Sequence, residues 1–348
     1  MKAARESGVN PALALLLCGT AGALCAWLKL PLPWMIGPLV AMAVSNFAGI
    51  GLRAPPGSRQ LGQTVVGTAL GLYFTPLVAR EVASFWPLLL LGGVLAIFLG
   101  LLGGWVLGRI TGTDATTAFF ASVPGGATEM TILGERFGAR ADRVALAQSL
   151  RILAVVIVVP FALTYSGAHG SDAYQPVAVP LDWSRLGFLL ALGAAGGSML
   201  AYFGVPNAFM FGPLAIVATL TVNQFPLSSL PTGLSSAAQV LLGCALGARF
   251  ERRSLQSAPK YVWGVLASVA VTIAAAAGFA WAIAEAWSLP VPTLVLAMAP
   301  GGIAEMCITA KVLQLGVPLV TAAQVARVIV LLSTTGPGFR LARGTSSS

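Results

Sequence analysis

Two short stretches decide the fold of this chain, Pro124-Gly-Gly-Ala-Thr-Glu-Met130 and Pro300-Gly-Gly-Ile-Ala-Glu-Met306. They are identical at five of seven positions and lie 176 residues apart. Each interrupts a long apolar segment, where proline removes a backbone donor and glycine permits turns that other residues avoid. The pair predicts an internal duplication built around two interrupted elements.

The duplication extends in register on both sides of these stretches. Gln63-Thr-Val-Val-Gly67-Thr-Ala-Leu-Gly71 and Gln239-Val-Leu-Leu-Gly243-Cys-Ala-Leu-Gly247 share five of nine residues. A glutamine and an arginine also recur at the same offset: Gln148 and Arg151 in the first half, Gln324 and Arg327 in the second. We therefore divide the chain into a first repeat (1–165), a connecting loop (166–183) and a second repeat (184–348).

The composition excludes a water-soluble protein. Of 348 residues, 57% are hydrophobic and 9% are charged, against about 25% charged in soluble domains. Forty glycines and 22 prolines lie largely within apolar segments, which membrane helices tolerate better than soluble helices do. The sequence predicts an all-α polytopic membrane protein. Its net charge of +9 is then attributed to basic cytoplasmic loops and not to a nucleic-acid partner.

Cysteine and histidine usage argues against metal chemistry. The four cysteines form no CxxC pair, and His169 is the one histidine in the sequence, so neither a zinc site nor a histidine-ligated oxygenase centre is expected. We expect no enzyme activity and no cofactor beyond a coupling ion, H+ or Na+.

Loop charges favour an inverted topology. Twelve apolar segments can be marked, six in each half, and most of them, at about 20 residues, are long enough to cross a bilayer. If segments 115–137 and 291–313 dip in and return on the same side, fourteen basic residues lie on the inner side and four on the outer. This predicts two inverted repeats, each of about five spanning helices plus one re-entrant or broken element. Both termini would be cytoplasmic in a bacterial inner membrane. The alternative is a parallel duplication with two kinked helices that cross fully.

The tips of the interrupted elements are candidate binding sites for a solute or an ion. The backbone amides around Pro124, Gly125 and Gly126, and around Pro300, Gly301 and Gly302, become available where the helices break. Three residues after each break stands an acidic residue, Glu129 or Glu305. An ionised carboxylate within a membrane costs about 3 kcal/mol. Each therefore titrates, binds a cation, or serves structurally as an ion pair or an N-terminal capping charge.

Arg151 and Arg327 are also costly within a membrane, since arginine does not readily discharge. Each needs an acidic partner, a cluster of carbonyls or an anionic substrate. Glu129 with Arg151, and Glu305 with Arg327, are candidate pairs, either as structural locks or as substrate anchors. Gln148 and Gln324, three residues before these arginines, are included in the same candidate site. Gln63 and Gln239 are candidates for lining a pore, although the small residues that follow them are more typical of close helix packing.

Trp34-Met-Ile-Gly-Pro-Leu39 and Pro124-Gly-Gly-Ala-Thr-Glu-Met130 with Arg151 downstream, together with their second-half counterparts, resemble the bacterial AbrB-type family of duplicated integral membrane proteins. The resemblance covers essentially the whole chain. Members carry labels such as ammonia monooxygenase, regulator of gene expression or AbrB family transporter. The sequence has no metal-ligand cluster to support the first label and no soluble basic domain to support the second. The layout also resembles inverted-repeat antiporters and organic-anion symporters, which implies an elevator-like movement of a core bundle.

These features together predict a secondary transporter, an ion- or proton-coupled carrier or exporter of a small polar or anionic solute. A channel is the first alternative, and it would require a continuous polar lining. A membrane-embedded regulator or sensor is the second, and it would require a signalling surface. The expected partners are the solute and the lipid bilayer, with no nucleic acid, and a homo-oligomer is left open.

Overall fold

The structure, a computed structural model, describes residues 11–170, 179–225, 227–250 and 258–344, with the side chains of 336–344 left out. These residues form fifteen α-helices and no strand. The helices are α1 Pro11–Trp27, α2 Pro33–Phe47, α3 Ser58–Gly71, α4 Pro76–Ser84, α5 Trp86–Thr111, α6 Ala115–Ser122, α7 Ala127–Arg136, α8 Ala141–Tyr165, α9 Trp183–Tyr202, α10 Ala208–Val222, α11 Thr232–Gly247, α12 Pro259–Trp287, α13 Val291–Met298, α14 Ile303–Leu313 and α15 Val317–Gly344.

Five of these helices are long and apolar enough to cross a bilayer: α5, α8, α9, α12 and Val317–Thr335 of α15. Four shorter apolar helices, α1, α2, α10 and α11, have 15 to 17 residues. The prediction of an all-α polytopic membrane protein is confirmed. Two of the shorter helices contain an internal proline, Pro38 in α2 and Pro213 in α10, as does the longer α8 at Pro160.

The apolar stretch at 60–78 does not form one continuous helix in the structure. Helices α3 and α4 meet at 93°, and only the two together are long and apolar enough to cross a bilayer. Thr75 is extended and caps α4, because its hydroxyl accepts a hydrogen bond from the Val78 amide, and Pro76 follows it. A residue before proline is pushed out of the helical region, so the chain cannot continue α3 through this point.

The two Pro-Gly-Gly breaks have the predicted organisation. Helix α6 (8 residues) precedes the first break and α7 (10 residues) follows it, while α13 (8 residues) and α14 (11 residues) flank the second. Glu129 and Glu305 lie in the first turns of α7 and α14. Each interrupted element thus consists of two short helical arms, with the glutamate at the start of the second arm.

The structure divides into two compact units, and neither unit corresponds to one sequence repeat. The first unit comprises Met1–Gly71, Ala178–Val217 and Pro226–Ser257, and the second comprises Leu72–Val177, Ala218–Phe225 and Ala258–Ser348. Each unit thus combines corresponding parts of both halves. The boundaries 1–165 and 184–348 delimit repeats of the sequence, but they do not delimit compact bodies.

Glycines explain how the first unit joins the two halves. A Cβ built on Gly67 of α3 would lie 3.3 Å from Pro213 of α10, and one built on Gly243 of α11 would lie 3.0 Å from Pro38 of α2. Each contact is the counterpart of the other in the repeat. The backbones approach this closely because glycine has no side chain. This favours the packing interpretation of the small residues that follow Gln63 and Gln239.

Candidate functional site at the two interrupted elements

In both breaks the second glycine makes room for a glutamate. Gly126 and Gly302 are the N-cap residues of α7 and α14, and both have ordinary extended backbone angles. A Cβ at either position would overlap the carboxylate of Glu129 or of Glu305, respectively. The glycines are therefore needed for space and not for an unusual backbone conformation.

Each glutamate side chain folds back over the glycine at its N-cap, so its carboxylate lies at the positive end of a helix. A glutamate at the third helical position that reaches back to the N-cap is half of a capping box, and negative charge at a helix N-terminus is favourable. Glu305 is only 6% exposed, whereas Glu129 is half-buried. The geometry favours a capping charge among the roles considered for these glutamates.

The first break is held by two side chains from α8. Arg151 donates from Nη1 to the carbonyl of Val123 (2.8 Å) and from Nη2 to that of Gly125 (3.3 Å). The Gln148 amide donates to the carbonyls of Phe120 (2.8 Å) and Val123 (2.9 Å). Together they provide donors for the end of α6 and for the turn that follows.

The second break repeats this arrangement with side chains from α15. Arg327 donates from Nη1 to the carbonyl of Ala299 (2.6 Å) and from Nη2 to that of Gly301 (2.7 Å). The Gln324 amide donates to the carbonyl of Leu296 (2.7 Å). Each of these bonds spans the same sequence separation as its counterpart in the first half. The duplication read from the sequence is therefore also a duplication of hydrogen bonds.

A cluster of carbonyls thus receives each buried arginine. The last carbonyls of a helix have no amide partner within it, and a cation at this negative end is favoured. The hydrogen bonds described for Arg151 and Arg327 all end on main-chain carbonyls. A carbonyl cluster is one of the three kinds of partner that the sequence allowed, and the structure shows it at both arginines.

Each break also keeps two polar atoms without a hydrogen-bond partner. Among the described residues, Nε of Arg151 and of Arg327, and Oε1 of Gln148 and of Gln324, are buried and unpartnered. Such atoms are rare in folded proteins because they lose their hydration without replacement. Each half therefore has one unpartnered donor, the arginine Nε, and one unpartnered acceptor, the glutamine Oε1, at equivalent positions.

The two breaks lie close together within the second unit. Val155 of α8 lies against the second break, because its Cγ1 would be 2.9 Å from a Cβ built on Gly301. Its counterpart Leu331 of α15 shares a buried cluster with Val123 and Met130 of the first break. Each half thus contributes its last helix to packing around the break of the other half.

A small cavity adjoins the first break. It measures about 10 Å³ and is lined by Arg151, Ser122, Ser268 and Thr272, among others, which is near the smallest volume that holds one water molecule. The sequence analysis missed Ser268 and Thr272 of α12, since nothing in their local pattern pointed to the break. Val155 and Leu331 could have been found, because they follow Arg151 and Arg327 by one helical turn at the repeat offset.

Gln63 and Gln239 belong to a different compact unit from the two breaks. Both lie in the first unit, on α3 and α11. The Gln63 amide donates to Oδ1 of Asn207 (3.3 Å), which also accepts from Arg59 (2.9 Å). Asn207 has a left-handed backbone (φ 51°) just before α10, so Gln63 helps to fix the start of that helix.

Two known proteins are similar in sequence to this chain over most of its length. "Uncharacterized protein YhjN" of Bacillus subtilis (strain 168) is 30% identical over 335 residues, which cover 88% of this chain and 86% of the relative. "Putative regulator AbrB" of Escherichia coli (strain K12) is 27% identical over 311 residues, covering 88% and 89%. Residues 34–343 match the family described as "Transition state regulatory protein AbrB". With the family match spanning both interrupted elements, the chain belongs to the AbrB family, which was expected from its motifs.

Proposed function

We propose that this protein is a secondary transporter of a bacterial inner membrane that carries a small polar or anionic solute, coupled to H+ or Na+. The observation that carries the proposal is the pair of equivalent breaks, each with a buried arginine Nε and a glutamine Oε1 left unpartnered. Irregular backbone at membrane depth is tolerated where it is buried in protein or lines a cavity. Paired interrupted helices form the binding site in many secondary transporters.

Charge at the breaks favours an anionic group on the solute. The N-termini of α7 and α14 and the guanidinium groups of Arg151 and Arg327 all carry positive charge toward the breaks. Glu129 and Glu305 already occupy the two N-termini, so they compete with an anion for the same amides. Protonation or Na+ binding at a glutamate would weaken its hold on the amides and admit the solute. This competition is the proposed origin of coupling, and it requires no enzymatic step and no cofactor.

Transport should therefore depend on pH or on Na+ through Glu129 and Glu305. A thermal-shift screen of the purified protein against amino acids, organic acids and cations selects a labelled solute. Its flux into proteoliposomes is then measured across pH and Na+ for wild type, Glu129→Gln and Glu305→Gln. Both variants keep the side-chain shape and remove the charge, so we expect folded protein whose flux no longer responds to pH or Na+.

Glu285→Gln is the matched control for this experiment. Glu285 is an exposed carboxylate in the last turn of α12 and belongs to neither interrupted element, so its removal should leave the flux profile unchanged. If Glu129→Gln and Glu305→Gln both retain the wild-type profile, the glutamates are structural caps and the coupling proposal is wrong.

The proposed orientation places both termini and the loop at 249–260 in the cytoplasm and the loop at 166–183 in the periplasm, as the loop charges indicate. Ser171 and Ser254, the most useful labelling positions, lie outside the described residues. In a cysteine-free background, an impermeant thiol reagent added to intact cells should label Ser171→Cys and spare Ser254→Cys. The reverse pattern would show that the chain is inserted the other way round.

A further inference from the structure

A groove runs along α5 in the second unit, with α6 and α15 as its other walls. Helix α6 turns back along α5, because a Cβ built on Gly104 would meet Ala118 and one built on Gly100 would meet Val123. Close packing of these two helices leaves a cavity of about 820 Å³ beside them. That volume falls in the range of about 300–1,000 Å³ typical of small-molecule sites.

The groove is charged at one end and mostly apolar along the rest, where two threonines of α15 also line it. Arg109 and Thr113 line it where α5 ends, whereas Ile97, Leu101 and Val123 line it farther along. Ile97 and Arg109 are separated by about 18 Å of helix, at a rise of about 1.5 Å per residue. An elongated molecule with an apolar chain and a polar head matches this gradient.

The rim of the groove has the character of a lipid-facing surface. Leu101 is 52% exposed and Trp105 is 61% exposed, on a helix that is long and apolar enough to span the bilayer. The Arg109 guanidinium lies over the Trp105 ring, 5.7 Å from its centroid. Tryptophan and arginine together are typical of the membrane interface, where lipid headgroups lie.

We propose that this groove binds an anionic phospholipid of the surrounding bilayer, with one acyl chain along Leu101 and Val123 and the phosphate group on Arg109. Among the described residues that line the groove, Arg109 is the charged one. Asp114, which follows the lining residue Thr113, accepts a hydrogen bond from the Thr117 amide (2.8 Å) as the N-cap of α6. Basic residues at the ends of membrane helices attract anionic headgroups. The site is distinct from the transport function proposed above and does not depend on it.

The second repeat provides an internal comparison. At the offset of 176 residues, Trp105 corresponds to Trp281 and Arg109 corresponds to Glu285. The tryptophan is retained on an exposed face of α12, but the charge is reversed. An anionic headgroup would be repelled there, so the proposal assigns the lipid to the first repeat alone.

Fluorescence quenching of Trp105 tests the proposal. The protein is reconstituted in phosphatidylcholine vesicles that contain equal small fractions of either brominated phosphatidylglycerol or brominated phosphatidylcholine. The difference between wild type and Trp105→Phe isolates the Trp105 signal. One basic residue near the membrane surface favours an anionic lipid by about fivefold, and we expect the brominated phosphatidylglycerol to quench with that preference.

Two charge variants decide the outcome. Arg109→Gln, an exposed substitution that leaves the fold intact, should reduce the preference to parity, whereas Glu285→Gln should leave it unchanged. Equal quenching of wild type by the two brominated lipids would overturn the proposal. So would a preference for phosphatidylglycerol that survives in Arg109→Gln.

Discussion

Replacing Arg327 by alanine is expected to lower the free energy of unfolding by about 3 kcal/mol or more, the largest effect of any substitution considered. The side chain is 3% exposed and donates to the carbonyls of Ala299 and Gly301. A buried acceptor that loses its donor costs about 1–3 kcal/mol. Arg327→Lys should recover only part of the loss, because a point charge cannot replace two forked donors. Thermal unfolding in detergent micelles measures both changes.

The control for this prediction is Arg185→Ala. Arg185 is exposed and forms a surface ion pair with Asp182 at 3.3 Å, and such pairs contribute about 0–1 kcal/mol. A wild-type melting temperature for Arg327→Ala would show that the carbonyl contacts do not stabilise the break.

The double variant Glu305→Ala with Arg327→Ala separates two roles of the arginine. If carbonyl binding dominates, the two losses add. If the glutamate and the arginine stabilise one another, the double variant loses less stability than the sum of the two single losses.

Gly212→Ala is expected to destabilise the first unit by about 2–3 kcal/mol, the upper part of the range of about 1–3 kcal/mol for overpacked cores. A Cβ on Gly212 of α10 would lie 2.5 Å from the carbonyl carbon of Gly196 in α9. Backbone cannot rotate away as a side chain can, so the two helices must separate. Gly187→Ala is the matched control on α9, because nothing lies within 4 Å of its built Cβ. That variant should be neutral, or gain up to about 1 kcal/mol from helix propensity.

Circular dichroism melting curves of both glycine variants, recorded in the same detergent, give the comparison. Equal stability of Gly212→Ala and Gly187→Ala would mean that α9 and α10 are not packed backbone to backbone.

Local chemistry was enough to predict much of this protein. The apolar composition gave the membrane class, and the breaks were predictable because proline and glycine act on the backbone where they stand. The place of Glu129 and Glu305 in a first helical turn is consistent with their short distance to the break. The break between α3 and α4 obeys a local rule of the same kind, because Thr75 precedes a proline.

The sequence by itself determined the duplication, the all-helical class and the positions of the two breaks. The tertiary structure alone decided that carbonyls receive Arg151 and Arg327, that Gln63 belongs to a different compact unit, and that each unit draws on both halves. Which partner a buried charge finds depends on residues more than twenty positions away in the chain, brought near by helix packing. Hydropathy and spacing indicate that a partner is required, because an unpaired charge is costly in an apolar setting, but only the packed helices select it.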